Sequence, residues 1–243
     1  MGVLAIHGQS YKKQQLAALD RHNLRLNKTY GNLNIDLSKS KDNVILIKPK
    51  GGLFQAAKAR IEQDVLPHQT RALRKDANWI AEFVVTMPDD VRDLAQIKEY
   101  SEAVLDHFSE KIGKENIVSA VIHMDETTPH LHLDFVPITK NHKLSSKEIM
   151  TRTFLTGLHD DLPKILQKSG FNVARGESTA KADRAMKSRD IQTYKKDMEA
   201  AKADLTRQIK ALELIKQKLI HGNVALAKQI IEKFRSHGND LIK

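Results

Sequence analysis

Cysteine is absent from all 243 residues. Disulfides and thiolate metal sites are therefore excluded, and any bound metal must be held by His, Asp or Glu. The same absence suits a reducing cytoplasm, the compartment expected for this chain. No uninterrupted apolar run approaches the ~18 residues that a membrane-spanning helix needs. The opening MGVLAIHGQSYKKQ has a short apolar run with no basic stretch before it, so no secretory signal is expected there. No internal repeat or low-complexity block is visible. Trp79 is the single tryptophan, expected to pack in a core or strand rather than to stack a base. Hydrophobic residues still make up 40% of the chain, enough for a packed domain and too many for wholesale disorder.

Acidic residues are scarce at both ends. Residues 1–75 hold 14 Lys+Arg against 5 Asp+Glu, residues 76–137 hold 4 against 13, and residues 138–243 hold 22 against 12. A basic front, an acidic middle and a basic tail make an uneven field whose positive parts favour a polyanion; a merely solvated basic surface is the plainer alternative.

Periodicity and punctuation give the elements. LAIHG near the start reads as a strand. SYKKQQLAALDRHNLRLNKTYG has helical spacing at Leu16, Leu19 and Leu26 and is expected to stop at Gly31. Strands are expected at 43–48, 79–87, 116–125 and 130–138, and helices at 53–66, 91–113 and 145–170, the last opened by a Ser cap and kinked or divided at Pro163. From about Thr179 the composition turns to Ala, Lys, Asp and Glu, and Leu205, Ile209, Leu212, Leu219, Leu226 and Ile230 form an apolar stripe interrupted near Gly222. The expected architecture is α+β: an antiparallel sheet with helices on one face over residues 1–180, then a helical extension over 181–243. That extension is expected to form a homodimer or to dock on a partner, unless it packs back on the domain.

The chain has only 11 histidines, and three of them fall within HMDETTPHLHLDFVP, residues 123–137. Residues two apart on a strand face the same side, so His130 and His132 project together while Leu131 and Leu133 face the core. If 116–125 is the antiparallel neighbour, His123 arrives from across the ladder. Three imidazoles on one sheet face make a cation site with open positions, better suited to Zn²⁺, Mn²⁺, Ni²⁺ or Co²⁺ than to Ca²⁺. The plainer reading is a hairpin of surface histidines. Asp125 orients the turn or does more; Glu126 is a fourth ligand, a support for a ligand or a general base; Asp134 shares the parity of His132 and either lies near the site or only balances charge.

This stretch closely resembles the third motif, H-x-D-E-x-T-P-H-x-H followed by VP, of the Pre/Mob (MobV-type) plasmid mobilization relaxases of the HUH superfamily, also called plasmid recombination enzymes. It matches at His123, Asp125, Glu126, Thr128, Pro129, His130, His132, Val136 and Pro137. RHNLR, residues 21–25, is similar to the first motif, H-N-x-R, and NLNIDLSKSKDNVIL, residues 32–46, to the second. RALRKDA (71–77), KLSSKEI (143–149) and HDDLPKILQKSGFNVARG (159–176) also resemble the family, in colinear order over roughly residues 1–180. The resemblance implies an HUH relaxase-like fold. It also implies an enzyme that nicks and rejoins one strand of plasmid DNA at an origin of transfer, taken as single-stranded or hairpin DNA. A divalent ion, Mn²⁺ or Mg²⁺, is implied at His123, His130 and His132. His22 is implied as the nucleophile that keeps the 5′ phosphate.

The chemistry agrees with that reading. In-line attack builds negative charge on phosphate oxygens, which a cation neutralises. Neutral imidazole is competent near pH 7 and would form a labile phosphoramidate, as a reversible transfer needs. Glu126 is expected to fix the tautomer or take the proton. Arg25, three residues after His22, is expected on the same helical face as a phosphate clamp. Tyr30 is the rival nucleophile and Tyr11 a weaker one. Arg71, Arg74 and Lys75 form a basic cluster, with Arg71 and Arg74 on one helical face, expected to contact DNA phosphates. Asp36 and Glu82 are candidate supports, and Asn34 or Asp36 equally caps a turn. Two other functions stay open: a rolling-circle replication initiator with a tyrosine nucleophile, and a non-catalytic DNA-binding autoregulator.

Overall fold

The structure, a computed structural model, describes residues 2–176 except 33, 89, 90 and 92, and residues 191–220 with 224. The chain divides into two compact units, Met1–Gly176 and Glu177–Lys243. In the first unit the order is β1 (Gly2–Leu4), β2 (Ile6–Lys12), α1 (Leu16–Asn23), β3 (Val44–Ile47), α2 (Gly52–Asp64), β4 (Asn78–Thr86), α3 (Leu94–Ile112), β5 (Ile117–His123), β6 (His130–Phe135), α4 (Ser146–Ile149), α5 (Arg152–Lys168) and β7 (Val173–Arg175). Five strands form an antiparallel sheet in the order β2-β4-β6-β5-β3, and β1 pairs in parallel with β7. This is the expected α+β class with an antiparallel sheet, but helices lie on both faces of it rather than on one.

The alternation along the central strands divides the sheet. Ala81, Phe83 and Val85 of β4, Ala120 and Ile122 of β5, and Leu131, Leu133 and Phe135 of β6 share one apolar face. On it pack Tyr100, Val104 and Phe108 of α3 and Leu158, Leu162 and Leu166 of α5. A second cluster joins Leu16 and Leu19 of α1 and Leu53, Ala57 and Ile61 of α2 to Ile80, Val118 and Val136, so those two helices lie over part of the opposite face. Trp79 belongs to this packing and stacks on Phe54, ring centroids 5.7 Å apart.

Three local expectations are corrected. The first helix ends at Asn23, not Gly31, and the stretch Ser10–Lys12 before it is strand. Arg25 takes φ 52°, Leu26 N–H donates to Arg21 O (2.9 Å) and Arg25 N–H to His22 O (3.2 Å), which is a Schellman stop with arginine where glycine is usual. Leu26, expected on the helical stripe, is 61% exposed. The 145–170 helix is divided at Met150–Thr151, where the Thr151 side chain caps α5, while Pro163 stays inside α5. Residues 71–77 are irregular rather than helical, so Arg71 and Arg74 share no helical face; Pro67 has already closed the preceding segment.

The second unit contributes α6 (Ile191–Ile220), on which Leu205, Ile209 and Leu212 are exposed. Leu226, Ile230 and the interruption near Gly222 lie outside the described residues, as does the expected 180/181 boundary.

Candidate active site

The face opposite the main core carries polar side chains where β4, β6 and β5 run side by side. Glu82 lies across from Asp134, Thr86 across from His130, and His123 pairs with His130 on the other side. Strand parity thus brings His123, His130 and His132 to one patch. Ring centroids are 5.3 Å apart for His123 and His130, 4.3 Å for His123 and His132, and 4.9 Å for His130 and His132.

The end of α1 supplies the other half. His22 is half-buried, with its ring 5.8 Å from that of His123 and 5.7 Å from that of His132. Asn23, the last residue of the helix, is buried against the sheet. Its side-chain N–H groups donate to Glu82 Oε1 (3.1 Å) and Asp134 Oδ2 (2.9 Å). Its carbonyl, one of those a helix end leaves without an intrahelical partner, lies 2.8 Å from His123 Nε2.

Each of the three clustered rings is anchored through one nitrogen. His123 Nε2–H donates to Asn23 O, His130 Nδ1 lies 2.8 Å from Thr128 O, and His132 Nδ1 lies 2.7 Å from Glu82 Oε1. A carbonyl or carboxylate at one nitrogen places the proton there and leaves the other as a lone-pair donor. The remaining nitrogens are His123 Nδ1, which lies 3.0 Å from Arg25 Nη2, His130 Nε2, and His132 Nε2, which is buried without any hydrogen-bond partner. An orphaned buried imidazole nitrogen among clustered histidine rings fits a divalent transition metal. Donor atoms lie within 4.8 Å of one another in two overlapping sets, His22 with His123 and His132, and His123 with Glu126 and His130.

Electrostatics disfavour the charged form of His22, His123 and His130. Burial, with His132 nearby, pushes His123 down to about 2. Burial and His132 also lower His130, and burial with His132 and Arg25 lowers His22. Beneath them, burial would raise Glu82, but hydrogen bonds from His132, Tyr11 and Asn23 outweigh it and keep it ionised. Asp134, buried beside Glu82, is held well above the carboxylate range.

Arg25 lies off the helix face expected for it. Its left-handed backbone turns the guanidinium inward, where it donates to Asp125 (2.8 and 2.9 Å), Glu126 (2.6 Å) and His22 O (3.0 Å), with its side chain 4% exposed. Nη2 also lies 3.0 Å from His123 Nδ1. An arginine so fully engaged is a tie between the two halves of the site rather than a free phosphate clamp. Glu126 accepts from Arg25 and from Asn32 (3.0 Å) and lies 3.9 Å from both His123 Nδ1 and His130 Nε2. It therefore bears on the metal cluster more directly than on His22. Burial would raise Asp125, but Arg25 and the Ser40 hydroxyl (2.5 Å) outweigh it and hold the carboxylate ionised.

The segment before β3 fastens the turn between β5 and β6. Asp36 N–H donates to Asp125 O (2.8 Å) and Asn43 Oδ1 accepts from Met124 N–H (2.7 Å). Asp36 also caps a short turn through Ser38, and Asn34 N–H bonds to Asn32. Asn23, Asn32, Ser40 and Asn43 are the participants that sequence reasoning missed; Asn23 stands beside His22 in the RHNLR motif, which is the one signal that pointed to it.

The rival tyrosines are both engaged. Tyr30 has its ring 6.0 Å from His22, but its hydroxyl donates to Arg21 O (3.0 Å) and accepts from Asn27 N–H (3.1 Å). Tyr11 donates to Glu82 Oε2 (2.7 Å), and burial pushes its hydroxyl pKa up. Arg71, Arg74 and Lys75 are exposed; Arg74 pairs with Asp76 at 2.7 Å, and among the described residues none of the three bonds to the histidine cluster.

Comparison with known proteins identifies the family and the fold. The family described as "Plasmid recombination enzyme" matches residues 1–196. A plasmid recombination enzyme of Bacillus thuringiensis is 36% identical over 179 residues, covering 72% of this chain and 40% of the relative. One of Lactiplantibacillus plantarum is 35% identical over 170 residues, covering 68% of this chain and 46% of the relative. The chain thus spans less than half the length of these relatives. Among solved structures, the Mn-bound MobM relaxase domain (MOBV; Mob_Pre) in complex with plasmid pMV158 oriT DNA is 29% identical, with a TM-score of 0.71 over 81% of this chain and 99% of that one. A further Mn-bound MobM–oriT structure has a TM-score of 0.69 at 28% identity over 80% of this chain and 99% of that one. With the family matching most of its length and the relaxase fold matching its sheet and helices, this chain belongs to the plasmid recombination enzyme (Mob_Pre) family.

Proposed function

We propose that this chain carries the relaxase activity of a plasmid recombination enzyme, nicking and rejoining one DNA strand at a plasmid origin of transfer through a covalent link to His22. The observation that supports this most is the meeting of His22, whose basicity burial lowers, with the clustered rings of His123, His130 and His132. His123, His130 and His132 would hold a divalent ion, Mn²⁺ or Mg²⁺, with Mn²⁺ favoured by its presence in the MobM structures. Such an ion supplies charge neutralisation and orientation for the scissile phosphate.

His22 acts as the nucleophile because burial keeps its lone pair free near neutral pH. The N–P bond forms as the P–O3′ bond breaks, the electron pair leaves on the 3′ oxygen, and that oxygen takes a proton from solvent. Loss of the remaining ring proton leaves an uncharged imidazole ring joined to the still anionic 5′ phosphate as a phosphoramidate, and attack by the 3′ hydroxyl, with that ring nitrogen reprotonated, reverses the step. Arg25 positions the loop behind His22 and ties it to Asp125 and Glu126. Glu82 fixes the His132 tautomer, and Asn23 fixes that of His123. The exposed Arg71, Arg74 and Lys75 are assigned to backbone phosphates away from the chemistry. α6 is assigned to pairing with a second copy, on the strength of its exposed Leu205, Ile209 and Leu212.

The deciding experiment is mass-spectrometric mapping of the protein–DNA adduct formed with supercoiled origin plasmid and Mn²⁺. The proposal expects the 5′ phosphate on His22, loss of adduct in His22→Ala and retention in Tyr30→Phe. Adduct on Tyr30 would transfer the role to tyrosine, and DNA binding without nicking would leave only a DNA-binding regulator.

A further inference from the structure

Away from the sheet-face histidines, a second set of metal-type side chains meets where the end of α2 faces the loop after β6. Asp64 is the last residue of α2, His68 closes the short turn Leu66–His68, and His142 lies between Thr139 and Lys143. One donor atom from each of the three lies within 4.8 Å of those of the other two. His142 Nδ1 is 3.0 Å from Asp64 Oδ1, and two donors on a tetrahedral ion ~2.05 Å away lie roughly 3.3 Å apart. The pair is therefore already near ligand spacing. His68 Nδ1 lies 3.0 Å from Asp64 O, so its proton is anchored on the backbone and Nε2 is left as the donor, the arrangement metal-bound histidines favour. The two rings stack with centroids 3.8 Å apart and planes at 13°, so their in-plane lone pairs run side by side and one ring must turn for both to meet a single ion. His142 is held there at φ 56°, a left-handed backbone region that a residue with a Cβ rarely adopts.

We propose that Asp64, His68 and His142 form a second metal site, separate from the sheet-face histidines, that takes a divalent transition ion of the zinc class. Two imidazoles and one carboxylate suit Zn²⁺ better than Ca²⁺ or Mg²⁺, which prefer all-oxygen shells. Three protein ligands leave a position for water, and Asp64 and His142 also line an open cleft of about 810 Å³ together with Asn116 and Lys140. Arg60 Nη2 holds the other Asp64 oxygen at 2.9 Å, which aims Oδ1 at His142 while its charge moderates affinity. On binding, His142 ligates through Nδ1 and keeps its proton on Nε2. The ion would tie the end of α2 and His68, three residues before Arg71, to the loop after β6, and so fix the start of the exposed basic run.

The test is a Zn²⁺ titration of the untagged, metal-stripped 243-residue chain, with bound equivalents counted by calorimetry. The double variant His68→Ala/His142→Gly is expected to bind one equivalent fewer than the wild type, with unchanged circular dichroism in EDTA, because glycine suits the left-handed backbone at 142. Equal stoichiometry in the two chains overturns the proposal. So does a wild-type stoichiometry abolished by His130→Ala/His132→Ala alone. If the double variant does not fold, His142→Gly by itself must show the same loss of one equivalent, and full retention there overturns the site.

Discussion

At the scale of single residues, Arg25 and Asn23 do the joining. Arg25 brings a buried cation to two carboxylates and to the backbone beside His22. Arg25→Ala leaves Asp125, whose side chain is fully buried, without its counter-ion, and breaking a buried pair costs about 3–5 kcal/mol. Chemical denaturation should report a loss of that size; a loss under 1 kcal/mol would mean that the tie is dispensable. Arg25→Lys should recover little of it, because a point charge cannot serve Asp125, Glu126 and His22 O together. Glu82→Ala removes the carboxylate that holds the His132 proton on Nδ1. Metal affinity should fall about 10–100-fold, the usual cost of losing such a partner, with calorimetry of Mn²⁺ binding as the measure.

At the scale of elements, the end of α1 decides whether His22 reaches the sheet. The Schellman stop at Arg25 places Asn23 O against His123, whereas a helix continued to Gly31 would carry that carbonyl into an intrahelical bond. The second element that matters is the β4–β6–β5 ladder, in which Phe83 and Leu133 pair on the apolar side while Glu82, His132 and Asp134 line the other. Phe83→Ala should cost about 3–5 kcal/mol by cavity formation and loosen the histidine face with it. The expected pattern is a lowered denaturation midpoint together with weaker Mn²⁺ binding; loss of stability with metal affinity intact would separate the faces. For α6, a chain ending at residue 176 should be monomeric in light scattering where the longer chain is dimeric, and an unchanged state would dismiss pairing through the exposed leucines.

At the scale of the whole molecule, pH and salt read the charge distribution. His22, His123 and His130 are lowered from the ordinary histidine value, so below pH ~6.5 the unfolded chain binds protons that the folded chain refuses. Stability is therefore fully present above that pH and is lost as pH falls from ~6.5 toward the folded values. His107 and His159, also lowered by burial, act in the same direction, while Asp134 and Asp20, which burial raises, oppose. Thermal melts in EDTA should show a midpoint that falls between pH 7 and pH 5; a flat or rising profile would contradict neutral rings. Metal should shift the same profile upward, since it binds only the deprotonated donors. With +10 net charge concentrated at the two ends of the sequence, origin binding should weaken steeply with salt, and Arg71→Ala/Arg74→Ala should reduce the salt slope without abolishing adduct formation.

Much of this was written in residue order. Period-two alternation in HLHLDF put His130 and His132 on one side and their leucines on the other, because strand geometry admits no second arrangement, and the motif order of 21–25, 32–46 and 123–137 carried the family resemblance. What the order of residues did not reveal comes from contacts across long separations. Arg25 and Asp125 are 100 residues apart, as are Asn23 and His123, and Asn23 and Asp134 are 111 apart. No local signal marks a helix stop made by arginine, an asparagine shared by two buried carboxylates, or an Asp–His–His cluster assembled from a helix end, the turn after it and a distant loop. Those depend on which backbone groups are left unpaired once the sheet and helices have packed, and that demand exists only in the folded chain.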